Sequence, residues 1–163
     1  MRTLILLRHA KSAYPDGVPD HDRPLAPRGQ REAALAGDWI RAQLPAVDTV
    51  LCSTATRTRA TLAATGITAP TQFEDKLYDT TVGTALSVIN TAPDAAQTLL
   101  ILGHEPTISA LSLGLAGPGS NIALAQRISV KFPTSAIAVL ELEVSWAGLQ
   151  LRGAALTGFH IPR

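Results

Sequence analysis

Arg8 and His9 directly follow the apolar run Thr3-Leu4-Ile5-Leu6-Leu7, and His104 follows a second such run, Thr98-Leu99-Leu100-Ile101-Leu102, across Gly103. Arg57 stands shortly after a third, Asp48-Thr49-Val50-Leu51-Cys52. Short aliphatic runs bounded by polar residues read as strands buried on both faces, and open α/β sheets bind ligands at the C-terminal ends of their strands. If these runs are parallel neighbours, two guanidinium groups and two imidazoles converge on one sheet edge. Guanidinium forks bind phosphate oxygens in bidentate fashion, and a neutral imidazole can attack phosphorus and carry the phosphoryl group. The residue types and their placement point to phosphoryl transfer through histidine.

The elements that must position these groups are legible in outline. Residues 12–29 hold Pro15, Gly17, Pro19, Pro24, Pro27 and Gly29 among several aspartates and read as a long loop. Ala33, Ala34, Leu35, Trp39, Ile40 and Leu44 recur at helical spacing, which predicts an amphipathic helix over 30–44. Ser53 is expected to cap a helix that runs to about Thr65 and stops at Gly66. Phe73 belongs to a short strand, residues 76–81 to a loop, and 82–90 to a helix. Pro106 suits the first turn of a helix through Leu115, closed by Gly117-Pro118-Gly119. Residues 128–132, 136–143 and 149–156 read as strands, and the alternation of Leu140, Leu142 and Val144 with Glu141 and Glu143 predicts a half-exposed edge. The order strand, helix, strand, helix, strand predicts a three-layer α/β domain.

A chain of 163 residues suits one domain with a full core, so residues 1–163 are expected to form a single unit. A net charge of +1 lacks the basic excess of a nucleic-acid binder, so no nucleic-acid partner is expected and any anion selectivity must be local. With 46% hydrophobic but 4% aromatic residues, the core must be mostly Ala, Leu, Ile and Val, as in helices packed on a sheet. The single Cys52 rules out an internal disulfide, and Leu4 to Leu7 is too short for a secretory or membrane segment. The expectation is a cytoplasmic protein without membrane association, monomeric or weakly dimeric.

Five segments, LLRHAKS (6–12), DHDRPLAPRG (20–29), LCSTATRTRAT (51–61), KLYD (76–79) and LILGHEP (100–106), resemble in order the SixA-type branch of the histidine phosphatase superfamily. The resemblance covers residues 1–116 well and the C-terminal strands loosely. It implies a phosphoglycerate mutase-like α/β/α sandwich whose sheet is mostly parallel, with an antiparallel C-terminal edge. It further implies that His9 is the phosphorylated nucleophile, that Arg8, Arg57 and His104 bind the phosphoryl oxygens, and that no metal or cofactor is needed. Ser12, Arg23 and Asp79 join them as substrate-binding candidates. The expected partner is a phosphorylated protein, such as a phosphohistidine-carrying signalling domain, or a small phosphorylated substrate.

The chain departs from the wider superfamily at two points. Ala10 stands where Arg-His-Gly is usual, which is tolerable if the backbone there keeps negative φ. No residue matches the carboxylic acid that protonates an alkoxide leaving group, although Asp20, Asp22 and Asp79 are nearby in sequence. That acid matters most for sugar or serine alkoxides, whereas phosphohistidine leaves as an imidazole able to take its proton from water. The gap favours a phosphohistidine substrate over a small phosphomonoester with Asp79 as acid, or over a phosphate-binding module without turnover.

Other chemistries fare worse. Cys52 is spaced wrongly from Arg57 and Arg59 for a C-x5-R thiolate loop, whose arginine position is Thr58. Four separated histidines and one cysteine make no zinc cluster, and no P-loop pattern is present. His21 reads as a solvated loop residue and His160 as surface. Arg57 could instead cap its helix or pair with Glu74, and Arg59 suits the outer face. Arg28 could be structural at a helix start, while Arg23 could line the phosphate pocket.

Overall fold

The computed structural model describes residues 1–163. Strand β1 (Arg2–Arg8) leads through the long loop to helix α1 (Pro27–Gln43), then β2 (Thr49–Ser53), α2 (Thr56–Thr65), β3 (Thr71–Glu74) and α3 (Val82–Asn90). The chain continues as β4 (Thr98–Gly103), α4 (Thr107–Leu115), α5 (Ile122–Val130), β5 (Ile137–Leu142) and β6 (Ala155–His160). All six strands join one sheet of order β3-β2-β4-β1-β5-β6. β3, β2, β4 and β1 are mutually parallel, and β5 runs antiparallel to both β1 and β6.

Alternation along the central strands divides the apolar residues between two cores. Leu4, Leu6, Leu99, Ile101, Ala138 and Leu140 face α3, α4 and α5 through Val88, Leu111 and Ile128. Ile5, Leu7, Leu100, Leu102, Ile137 and Val139 face α1 and α2 through Ala36, Ile40 and Leu62. This is the expected three-layer α/β/α arrangement, and it explains the continuous aliphatic runs, because both faces of each run are covered. Trp146, fully buried, closes the first core and donates its indole N–H to Ala96 O at 2.8 Å.

Several element boundaries differ from the sequence reading. α1 begins at Pro27, and its buried face is Gly29, Ala33, Ala36, Gly37 and Ile40, while Ala34 and Leu35 are exposed. Small residues win that face because α2 lies against it: a Cβ at Gly37 would sit 2.0 Å from Thr65 O. Ser53 ends β2, and the position before α2 is held by Ala55. Residues 128–132 are not a strand: 128–130 finish α5, whose Asn121 side chain accepts the N–H of Leu124 as a cap. The last strand starts at Ala155 rather than 149, and Leu140 lies in an interior strand, leaving β6 as the edge. No helix is long and apolar enough to cross a membrane.

Candidate active site

Because β2, β4 and β1 are neighbours and parallel, their C-terminal ends deliver Ser53, Gly103-His104 and Arg8-His9 to one edge, and α2 brings Arg57 over it. The His9 N–H donates to Gly103 O at 3.0 Å, which sets the two histidines side by side with ring centroids 5.3 Å apart. Both rings are buried. Ala10 has negative φ, as the left-handed non-glycine residues are Asp79, Ser135 and Arg152. Its carbonyl lies 2.7 Å from His9 Nδ1 and its N–H donates to Thr61 Oγ at 2.9 Å. A carbonyl only accepts, so Nδ1 carries the proton and Nε2 keeps the lone pair.

Burial lowers the His9 pKa to about 4, with Arg57, Arg8 and Arg23 pushing the same way and the bond to Ala10 opposing them. Burial likewise lowers His104 to about 3, helped by His9 and Arg57. Both rings are neutral at pH 7. The Arg8 Nη1 donates to Phe132 O at 2.8 Å, while its Nε is buried without a partner. Arg57 Nε and His104 Nδ1 are also buried and unpaired, as is Ser135 Oγ, whose backbone N–H donates to His9 O at 3.1 Å. Buried polar atoms without a partner are rare in protein interiors, and three of them on residues beside His9 suit an anion with several oxygens.

The loop wall is organised by Asp20. Its Oδ2 accepts from Arg57 Nη2 at 3.1 Å and from the Tyr78 hydroxyl at 2.5 Å, and its Oδ1 from Arg23 Nε at 3.0 Å. Arg57 Nη1 also reaches Asp20 O at 2.7 Å. The Tyr78 hydroxyl, then Arg57 and Arg23, hold the Asp20 carboxyl well below its ordinary range. It stays ionised and is a poor proton donor. Asp22 lies 3.7 Å from His21 Nδ1.

Arg8, His9, Arg57 and His104 are thus together, with Arg23 behind them. Ser12 is buried and accepts Arg23 Nη1 at 2.7 Å, so it supports that arginine. Asp79 is exposed with φ 49° and makes no hydrogen bond to the cluster. Arg57 pairs with Asp20 rather than Glu74, Arg28 pairs with Glu32, and Arg59 donates to Thr54 O on the exposed side. His160 is half-buried, stacked on Trp39 at 4.6 Å. His21 is more engaged than a solvated loop residue: its Nε2 lies 3.0 Å from Thr54 Oγ and its ring meets Tyr78 edge-on at 4.7 Å. Tyr78, edge-on to His104 at 5.5 Å, is a wall that the sequence reading passed over although it lies in the quoted KLYD segment. Burial pushes the Cys52 thiol up to about 12, which makes it a core residue rather than a nucleophile. No group of three or more His, Cys, Asp or Glu side chains is placed to hold a metal ion.

Residues 4–87 match the family model "Histidine phosphatase superfamily (branch 1)". An uncharacterised protein of Mycobacterium tuberculosis is 61% identical over 158 residues, covering 96% of this chain and 100% of that protein. A candidate phosphohistidine phosphatase SixA from Nakamurella multipartitia is 42% identical with TM-score 0.90, over 99% of this chain and 96% of the other. A second SixA candidate, from Agrobacterium tumefaciens, is 31% identical with TM-score 0.81, over 99% of each chain. With its phosphoglycerate mutase-like fold and SixA proteins among its structural neighbours, the chain belongs to the histidine phosphatase superfamily.

Proposed function

We propose that the protein is a metal-independent phosphohistidine phosphatase, a single catalytic domain acting on a phosphorylated protein in the cytoplasm. The observation that carries this reading is the neutral His9, its Nδ1 committed to Ala10 O, set among the unpaired donors of Arg8, Arg57 and His104. His9 Nε2 attacks phosphorus, the P–N bond to the substrate imidazole breaks, and a P–Nε2 bond forms. The leaving imidazole takes its proton from water, and a second water then cleaves P–Nε2 to release phosphate and restore His9. Arg8, Arg57 and the His104 Nδ1 donate to the equatorial oxygens, where charge is carried in the transition state. Preference for the phosphoramidate is supported by the carboxylates: Asp20 is held ionised by Tyr78, Arg57 and Arg23, and Asp79 is exposed and makes no hydrogen bond to the cluster.

Wild type and His9→Ala are incubated with a phosphohistidine protein and with p-nitrophenyl phosphate, then quenched at alkaline pH to retain an acid-labile phosphoenzyme. Label on the wild type alone, with phosphohistidine consumed faster than the ester, is the expected result. Faster ester turnover would favour a small-molecule phosphatase. Phosphopeptide binding without label or turnover would favour a binding module.

A further inference from the structure

Ser53 ends β2 beside His104, and its side chain is fully buried. Its Oγ lies 2.8 Å from His104 Nε2 and accepts the Ala55 N–H at 3.3 Å. The hydroxyl proton needs an acceptor, since a buried polar hydrogen left unpaired gives up its hydrogen bond to water for nothing in return. Of the two partners, an N–H cannot accept, so only the imidazole lone pair can. Ser53 therefore donates to Nε2, and a neutral ring that accepts at Nε2 carries its proton on Nδ1. The reverse assignment would leave two groups unpaired, the serine proton and the Nδ1 lone pair. It would also aim that lone pair from a buried, unpartnered position beside His9 and Arg57, where an anion would be repelled.

We propose that Ser53 is a positioning residue that fixes His104 as its Nδ1–H tautomer, so that the uncharged ring donates a hydrogen bond to the phosphoryl group held at His9. The identity of that anion rests on the phosphatase reading; the tautomer does not. The groups that face His104 are His9 at the end of β1, Arg57 on α2, Asp20 and His21 from the long loop, and Tyr78 after β3. Three of the four charged or protonatable neighbours that act on it through space, His9, Arg57 and His21, disfavour a second proton, and only Asp20 favours one. Donation from the neutral ring avoids that conflict, and it requires the proton to be on the right nitrogen.

Two-bond 1H–15N spectra of the histidine rings, assigned with a His104→Gln variant, report the tautomer directly. Wild-type His104 is expected to be protonated at Nδ1, and Ser53→Ala to shift toward protonation at Nε2. Removing a group that orients a functional histidine costs about 10- to 100-fold, and kcat/KM of Ser53→Ala should fall by that much at neutral pH. Ser53→Thr, which keeps the hydroxyl, should retain the wild-type tautomer. An Nε2–H ring in the wild type overturns the proposal, as does a Ser53→Ala variant whose His104 tautomer is unchanged. A protein with no turnover but an Nδ1–H His104 would defeat the phosphatase reading while supporting the tautomer lock.

Discussion

His9 is surrounded by three arginines, yet the group that commits its proton is a backbone carbonyl one residue away. On the proposed reading this separates two tasks: the carbonyl fixes which nitrogen attacks, while burial, helped by the cations, keeps the ring neutral, and the cations attract the anion. Asp20 does a third. As the shared acceptor of Arg23, Arg57 and Tyr78, it holds the arginine fork against the site. If Asp20 positions these groups and does not protonate a leaving group, Asp20→Asn should slow hydrolysis of a phosphohistidine protein and of a phosphoserine peptide alike. The loss expected is roughly tenfold, about 1.4 kcal/mol, for one charge-assisted hydrogen bond. Steady-state kinetics on both substrates check this, and a loss confined to the ester would make Asp20 the acid.

At the scale of elements, the stretch after His9 is held by backbone rather than by side-chain bulk. Lys11 O accepts the Ala26 N–H at 2.9 Å, and Gly29 at the start of α1 lies so close that a Cβ there would be 2.1 Å from the same oxygen. Thr61 on α2 donates to Arg57 O and accepts from Ala10 N, tying the helix that carries the arginine to the turn that orients His9. Gly29→Ala should therefore cost about 1–3 kcal/mol, the usual range for overpacking, and lower kcat/KM by displacing residues 10–12. Gly83→Ala in α3, where a Cβ meets nothing within 4 Å, should be neutral or stabilising. Thermal melts of the two variants, with activity alongside, make the comparison.

For the whole molecule, the same burial that prepares the site makes folding sensitive to acid. The folded-state pKa values of His9 and His104, about 4 and about 3, lie below the ordinary 6.5. The unfolded chain therefore takes up protons first as the pH falls. The contribution is fully present above pH 6.5 and is lost as pH drops toward those values, at up to about 1.4 kcal/mol per pH unit for each ring. Urea unfolding at pH 7 and pH 5 should show the loss, and His9→Gln should reduce its slope. Equal stability of the wild type at both values would mean that the rings are not buried in their neutral form.

The aliphatic runs ending in Arg8-His9 and Gly103-His104, with Arg57 after a third, announced the buried parallel strands and the residues grouped at their ends, because a run covered on both faces needs no polar alternation. Local composition was a weaker guide where packing partners were distant in sequence. Residues 128–130 became helical on a sheet face, Leu35 lost the inner face of α1 to glycine and alanine, and Ser53 looked like a cap until His104 was placed beside it. The sequence by itself picked out the four side chains that meet at the sheet edge and the layers that carry them. Only the tertiary structure decided their protonation and their supports. Those depend on burial and on acceptors such as Ala10 O, Asp20 and Ser53, which come to the site through strand order and loop closure rather than through spacing along the chain.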